Sequence, residues 1–168
     1  PTPQILDLPH TFTAQMPFYP EDTAPELAQC AFFDKHGVAD HRITTGMHVG
    51  THMDGPAHML EKGRKLSEIP PEKFLGRGVV VDARGKNEID EYLLAPLLSS
   101  RALKAGDCVC VCTGAAVHFR SSGYYKTFPS VTAGFARALI DAGVRMLVLD
   151  TPSPDGPPYD IHKTLLGK

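Results

Sequence analysis

A chain of 168 residues has room for one domain with a sizeable core. Its 42% hydrophobic and 21% charged residues are ordinary for a globular protein, and a formal charge of −2 gives no electrostatic footing for nucleic acid or an anionic membrane. No apolar run approaches a membrane span and the first residues lack the basic-then-apolar order of an export signal, so a cytoplasmic protein without membrane association is expected.

In chain order, residues 5–8 read as a short strand. Residues 16–22, Met-Pro-Phe-Tyr-Pro-Glu-Asp, form a proline-punctuated loop that is aromatic where loops are usually polar. Residues 30–49 predict two strands around a turn at Lys35, His36 and Gly37. Residues 71–74 suit one helical turn, and residues 79–82 a buried strand of the continuous apolar kind. A weak helix over 90–102 is compromised by Pro96. In the strand expected at 108–113, Cys108, Cys110 and Cys112 alternate with Val109 and Val111, so they share one face and do not readily bridge one another. With Cys30 alone, reduced thiols are expected.

The clearest helix follows Ser130, read as its N-cap. Val131, Phe135, Ala138, Leu139 and Ala142 form its apolar stripe, and Gly143 its stop. A buried strand over 144–149 completes a strand–helix–strand unit, which implies a parallel crossover. Residues 150–155, Asp-Thr-Pro-Ser-Pro-Asp, begin where that strand ends. They suit either a proline-rigid turn or a ligand site, since such sites collect at the carboxyl ends of strands.

The chemistry concentrates between His48 and His58, in M-H-V-G-T-H-M-D-G-P-A-H. Neutral imidazole and carboxylate are ordinary ligands of zinc and related divalent ions, and three such ligands leave a coordination position open for water. Residues four apart on an extended strand lie roughly 13 Å from each other, at about 3.3 Å per residue, so His48 and His52 need a bend to share an ion. Gly50 and Pro56 disfavour a helix. The expected compromise is a strand ending near His48, then a tight turn at Gly50 and Thr51 that returns His52 and Asp54 to one site. Glycine suits that turn because the backbone must take a positive φ or approach the metal closely. The alternative is a histidine-rich surface loop.

H-x-G-T-H-x-D-x-P-x-H, as it stands from His48 to His58, resembles the motif of the metal-dependent cyclase and kynurenine formamidase family. The resemblance implies an α/β class with a swivelling β/β/α architecture: a single domain with a mixed sheet over residues 1–168, whose C-terminal end is expected to continue beyond Lys168. It implies His48, His52 and Asp54 as ligands of a first ion, Zn²⁺ with Mn²⁺ as alternative. His162, shortly before Leu165 and Leu166, resembles a ligand of a second ion bridged by Asp54. One or two ions per chain are therefore expected. A family glutamate has no counterpart after Asp160, so the second ion would be the weaker.

The 150–155 segment resembles a second recurring stretch of the family. Tyr19, in Pro17-Phe18-Tyr19-Pro20, matches a substrate-packing aromatic, although family members tend to have tryptophan there. An imidazole with a pKa near 6.5 exchanges protons in the working range, which suits His58 to general acid–base catalysis rather than ligation. The resemblance implies a homo-oligomer and a hydrolase that uses metal-activated hydroxide on a small-molecule amide, most like an arylformamidase of the N-formylkynurenine type in tryptophan catabolism. The alternatives are a lactone or a cyclic amide such as isatin as substrate, or a non-catalytic metal- or small-molecule-binding protein.

Overall fold

The structure is a computed structural model and describes residue 2 and residues 4–168. The chain is of mixed α/β class, and it divides into two compact units, Pro1–Met53 and Asp54–Lys168.

The first unit is built on a hairpin. Strand β1 (Glu26–Ala31) pairs antiparallel with β2 (Asp40–Thr44), with Leu27 opposite Ile43 and an irregularity between Gln29 and Ala31. The expected strand pair is present, but β1 starts earlier in the chain and the connection is longer. Phe33–His36 form a single turn of helix, α1, ended by Gly37 at φ 70°. His36 favours this turn over a tighter one because its Nδ1 lies 2.9 Å from the Phe32 amide. Residues 5–8 form no strand: Ile5 is 94% and Leu8 82% exposed, and a strand without a partner leaves its backbone polar groups to water. Among the described residues of this unit, Met16, Pro25 and Val49 are buried.

The second unit is organised on a parallel sheet of β3 (Gly78–Asp82), β5 (Cys108–Cys112) and β7 (Met146–Leu149), with β5 central. The short strands β4 (Glu88–Ile89) and β6 (Ser130–Val131) pair separately, also in parallel. Helix α3 (Ala133–Asp141) makes the crossover from β5 to β7, as the apolar spacing predicts. Its Phe135, Ala136 and Leu139 pack with Val79, Val81, Val109 and Val111 in one core. Fully burying a side chain such as Phe135 contributes roughly 1.5–3 kcal/mol.

Three local expectations give way to tertiary context. Val79 and Val81 are buried but Val80 is 70% exposed, because α3 covers only one face of the sheet; β7 likewise begins at Met146 and is half-buried. The cap of α3 is Thr132, whose hydroxyl accepts from the Phe135 amide at 3.1 Å, while Ser130 is drawn into pairing with Glu88. The weak helix over 90–102 splits into a 3-10 turn, Glu91–Leu93, and α2 (Ala95–Ser99), since Pro96 has no N–H to continue a ladder. The 3-10 turn Pro71–Phe74 agrees with the single helical turn expected there.

Two polar locks hold the sheet ends. At the amino ends, Arg77 donates to both oxygens of the Asp107 carboxylate, at 3.1 and 2.5 Å, and to the Ala102 carbonyl. At the carboxyl ends, the Asp150 carboxylate accepts from the Thr113 amide and hydroxyl and from the Gly114 amide, at 2.9, 2.6 and 2.8 Å. The loop leaving β7, with Asp155 in it, is thereby tied to the end of the central strand. The last helix is α4 (Asp160–Leu166), which contributes Ile161 to the core. All four cysteines are free thiols, as expected.

Candidate metal centre

His48 and His52 belong to the first unit, and Asp54 and His58 to the second. In the first unit β2 ends at Thr44, four residues before His48 rather than beside it, and the chain then turns without forming a helix. Gly50 has φ 75°, and a Cβ added there would stand 2.7 Å from the Met16 Cε. The left-handed backbone expected of glycine is therefore present, and the close approach is to the Met16 side chain. The turn brings the His48 and His52 rings edge to face with centroids 5.0 Å apart, where an extended chain would hold them well separated. His52 Nδ1 lies 2.8 Å from the Gly50 carbonyl, which can only accept, so the proton sits on Nδ1 and Nε2 carries the lone pair of the neutral ring. Tyr19 is half-buried in this same unit, in a turn closed by the Asp22 amide on the Tyr19 carbonyl at 2.9 Å.

In the second unit Asp54 leads into buried Gly55 and the 3-10 turn Pro56–His58, started by a proline that has no amide to satisfy. His58 ends that turn with its side chain exposed, its ring centroid 6.1 Å from that of His162. His162 lies on α4 and is 7% exposed, unlike a solvated histidine near a chain end. Its Nδ1 is hydrogen-bonded to Asp155 Oδ1, and its Nε2 faces Asp54 Oδ2 at 3.9 Å. Tyr159 closes the group edge-on, 5.6 Å from His162 between centroids. Asp54, His58 and His162, chosen from the sequence, thus come together, and the structure adds Asp155 and Tyr159. The available signal for Asp155 was its place at the end of the 150–155 segment.

The donor set suits a divalent cation. Two ligands at 2.0–2.2 Å from a tetrahedral ion stand roughly 3.4 Å apart, close to the separation of His162 Nε2 and Asp54 Oδ2. Nitrogen and carboxylate donors of this kind are what zinc and manganese accept. A histidine whose second ring nitrogen is held by a carboxylate is a common form of oriented metal ligand.

Elsewhere in this unit, a cavity of about 270 Å³ opens beside the loop that follows β5, lined by Ala115, His118, Ser121, Gly123, Tyr124 and Thr127. The Tyr124 hydroxyl donates to the Asp150 carbonyl at 3.1 Å, and burial pushes its pKa up to about 12. Among the described residues no helix is long and apolar enough to cross a membrane.

Comparison with known proteins places the sequence. Residues 6–156 match the Cyclase family. A kynurenine formamidase of Bacillus thuringiensis (strain Al Hakam) is 24% identical over 119 residues, which are 68% of this chain and 52% of that protein. The chain therefore spans about half the length of that curated relative. Among solved structures, isatin hydrolase A from Labrenzia aggregata, bound to benzyl benzoate, aligns with TM-score 0.86 and 25% identity, over 98% of this chain and 77% of its own. A structure described as a predicted metal-dependent hydrolase from Bacillus stearothermophilus aligns with TM-score 0.76 and 24% identity, over 96% and 77%.

Proposed function

Because the chain belongs to the Cyclase family, we propose that it is a metal-dependent hydrolase of an amide C–N bond beside an aryl ring, most like an arylformamidase acting on an N-formyl arylamine. The observation that carries the proposal is buried His162, with Nδ1 taken by Asp155 and Nε2 turned to Asp54. The name of the formamidase relative supports the substrate class.

His48, His52 and Asp54 would hold one divalent ion, Zn²⁺ ahead of Mn²⁺ because the donors are rich in nitrogen. Asp54, together with His162, would also hold a second ion. A bound ion supplies a lowered pKa for water and polarisation of the substrate carbonyl. His58 takes the proton of the attacking water on an imidazole nitrogen and returns it to the leaving aniline nitrogen. Its exposed position at the end of a 3-10 turn leaves it reachable by substrate. Tyr19 stacks on the aryl ring of the substrate. The working form is a homo-oligomer, a homodimer at the smallest, in the cytoplasm.

A second reading keeps the bond and changes its setting. Likeness to an isatin hydrolase favours a cyclic amide fused to an aryl ring, where ring opening breaks the corresponding C–N bond. Purified protein loaded with Zn²⁺ or Mn²⁺ and offered a formyl anilide, isatin and an aryl lactone separates the two. Turnover of the formyl anilide above the others supports the arylformamidase, turnover of isatin the second reading. No turnover of any, with metal bound, points to a non-catalytic binding protein.

A further inference from the structure

We propose that Asp155 is a positioning residue that sets the tautomer and direction of His162, and so makes that histidine a metal donor. The inference rests on the proposed role of His162 as a ligand and assigns to the 150–155 loop a task that its proline content does not reveal.

The carboxylate of Asp155 has two calls on it. Oδ1 accepts from His162 Nδ1, and Oδ2 accepts from the Ile161 amide at 2.8 Å. A carboxylate meets both because each oxygen is an acceptor. The proton of the neutral imidazole is then fixed on Nδ1, and the lone pair of Nε2 is aimed at Asp54. With side chains only 12% and 8% exposed, Asp155 and His162 leave little room for water to replace either contact.

The loop that presents Asp155 is itself held. The Thr151 hydroxyl donates to the Ser153 carbonyl at 2.9 Å and the Ser153 hydroxyl to the Asp155 carbonyl at 2.6 Å. The Val131 amide donates to the Pro154 carbonyl at 2.7 Å, tying the loop to β6. A carboxylate on so constrained a backbone has one place to be. It also stands in for the missing cap of α4, since Tyr159 at the N-cap offers no side-chain hydrogen bond.

An amide in its place meets only one of the two demands. If the Asp155→Asn oxygen accepts from the Ile161 amide, its NH₂ faces Nδ1 and drives the ring proton to Nε2. That proton then points at Asp54, where a metal donor is required. Turning the amide over restores the ring but sets two donors, the NH₂ and the Ile161 amide, against each other.

The test reads the tautomer and the metal separately. In metal-free protein at alkaline pH, ¹⁵N NMR of His162 should show the proton on Nδ1 in the wild type and on Nε2 in Asp155→Asn. Zinc titration followed by calorimetry should show Asp155→Asn weakening, roughly 10–100-fold, the same site that His162→Ala removes. Ser153→Ala, which loosens the loop but keeps the carboxylate, should retain the wild-type tautomer. A wild-type ring protonated on Nε2 overturns the proposal without recourse to any variant. Wild-type zinc affinity in a folded Asp155→Asn protein also overturns it. If His162→Ala binds zinc as the wild type does, it is the ligand role of His162 that fails, and the tautomer result still decides whether Asp155 directs the ring.

Discussion

At the scale of single residues, the roles proposed for His58 and Tyr19 each make a separable prediction. His58→Ala should cut turnover by roughly 10²–10⁴, the usual range for lost general acid–base help, and leave metal content at the wild-type level. Steady-state kinetics alongside metal analysis checks both halves, and loss of metal together with activity would make His58 a ligand instead. Tyr19→Ala should raise KM more than it lowers kcat, the mark of lost uniform binding; unchanged kinetics would leave Tyr19 a packing residue of its loop. Gly50 makes the structural prediction of this group. Alanine there meets both a φ of 75° and the Met16 side chain, so Gly50→Ala should cost at least about 1 kcal/mol and disturb His48 and His52 together. Chemical denaturation reads the first effect and zinc affinity the second.

At the level of elements, the sheet depends on what joins its strand ends. Arg77 beside Asp107 holds the Asp107 carboxyl below the usual carboxylate range, against the opposing effect of burial. A carboxylate lowered in the folded state contributes stability above its unfolded value of about 3.9 and loses it as pH falls through the folded value. Thermal melts should therefore show the wild type losing stability below about pH 4. Arg77→Met should melt lower at neutral pH and show a shallower acid dependence. Arg84→Met should change little, although Arg84 holds Asp82 at a pKa of about 2, because that pair is exposed and screened by solvent. Equal effects of the two variants would mean that the lock at the amino ends does not matter. Thr132→Ala removes the α3 cap and should cost about 1 kcal/mol, whereas Ser130→Ala should cost less.

For the whole molecule, what could be read from the sequence followed from periodicity and from one dense motif. The crossover through α3 was legible because Phe135 and Leu139 recur on one helical face between two apolar strands. The bend at Gly50 was legible because His48 and His52 could share an ion only with one. Which faces of the sheet are covered was not, since Val80 has the same local character as Val79 and Val81 and differs only in what packs above it. The Thr132 cap was missed because Ser130 is an equally good local candidate until β6 claims it for pairing. Asp155 was legible as the end of a segment suited to a turn or a ligand site, but not as the partner of His162. Its carboxylate reaches His162 across seven residues, a pairing that no short-range pattern specifies.

If the window from His48 to His58 holds a divalent ion for hydrolysis, the ion depends on Asp54. Metal content measured by mass spectrometry, after zinc loading and exhaustive dialysis of the wild type and of Asp54→Ala, tests it most directly. At least one zinc should be retained per wild-type chain, with near-complete loss in folded Asp54→Ala. A wild type that retains no zinc or manganese, or an Asp54→Ala protein that retains as much as the wild type, would contradict it.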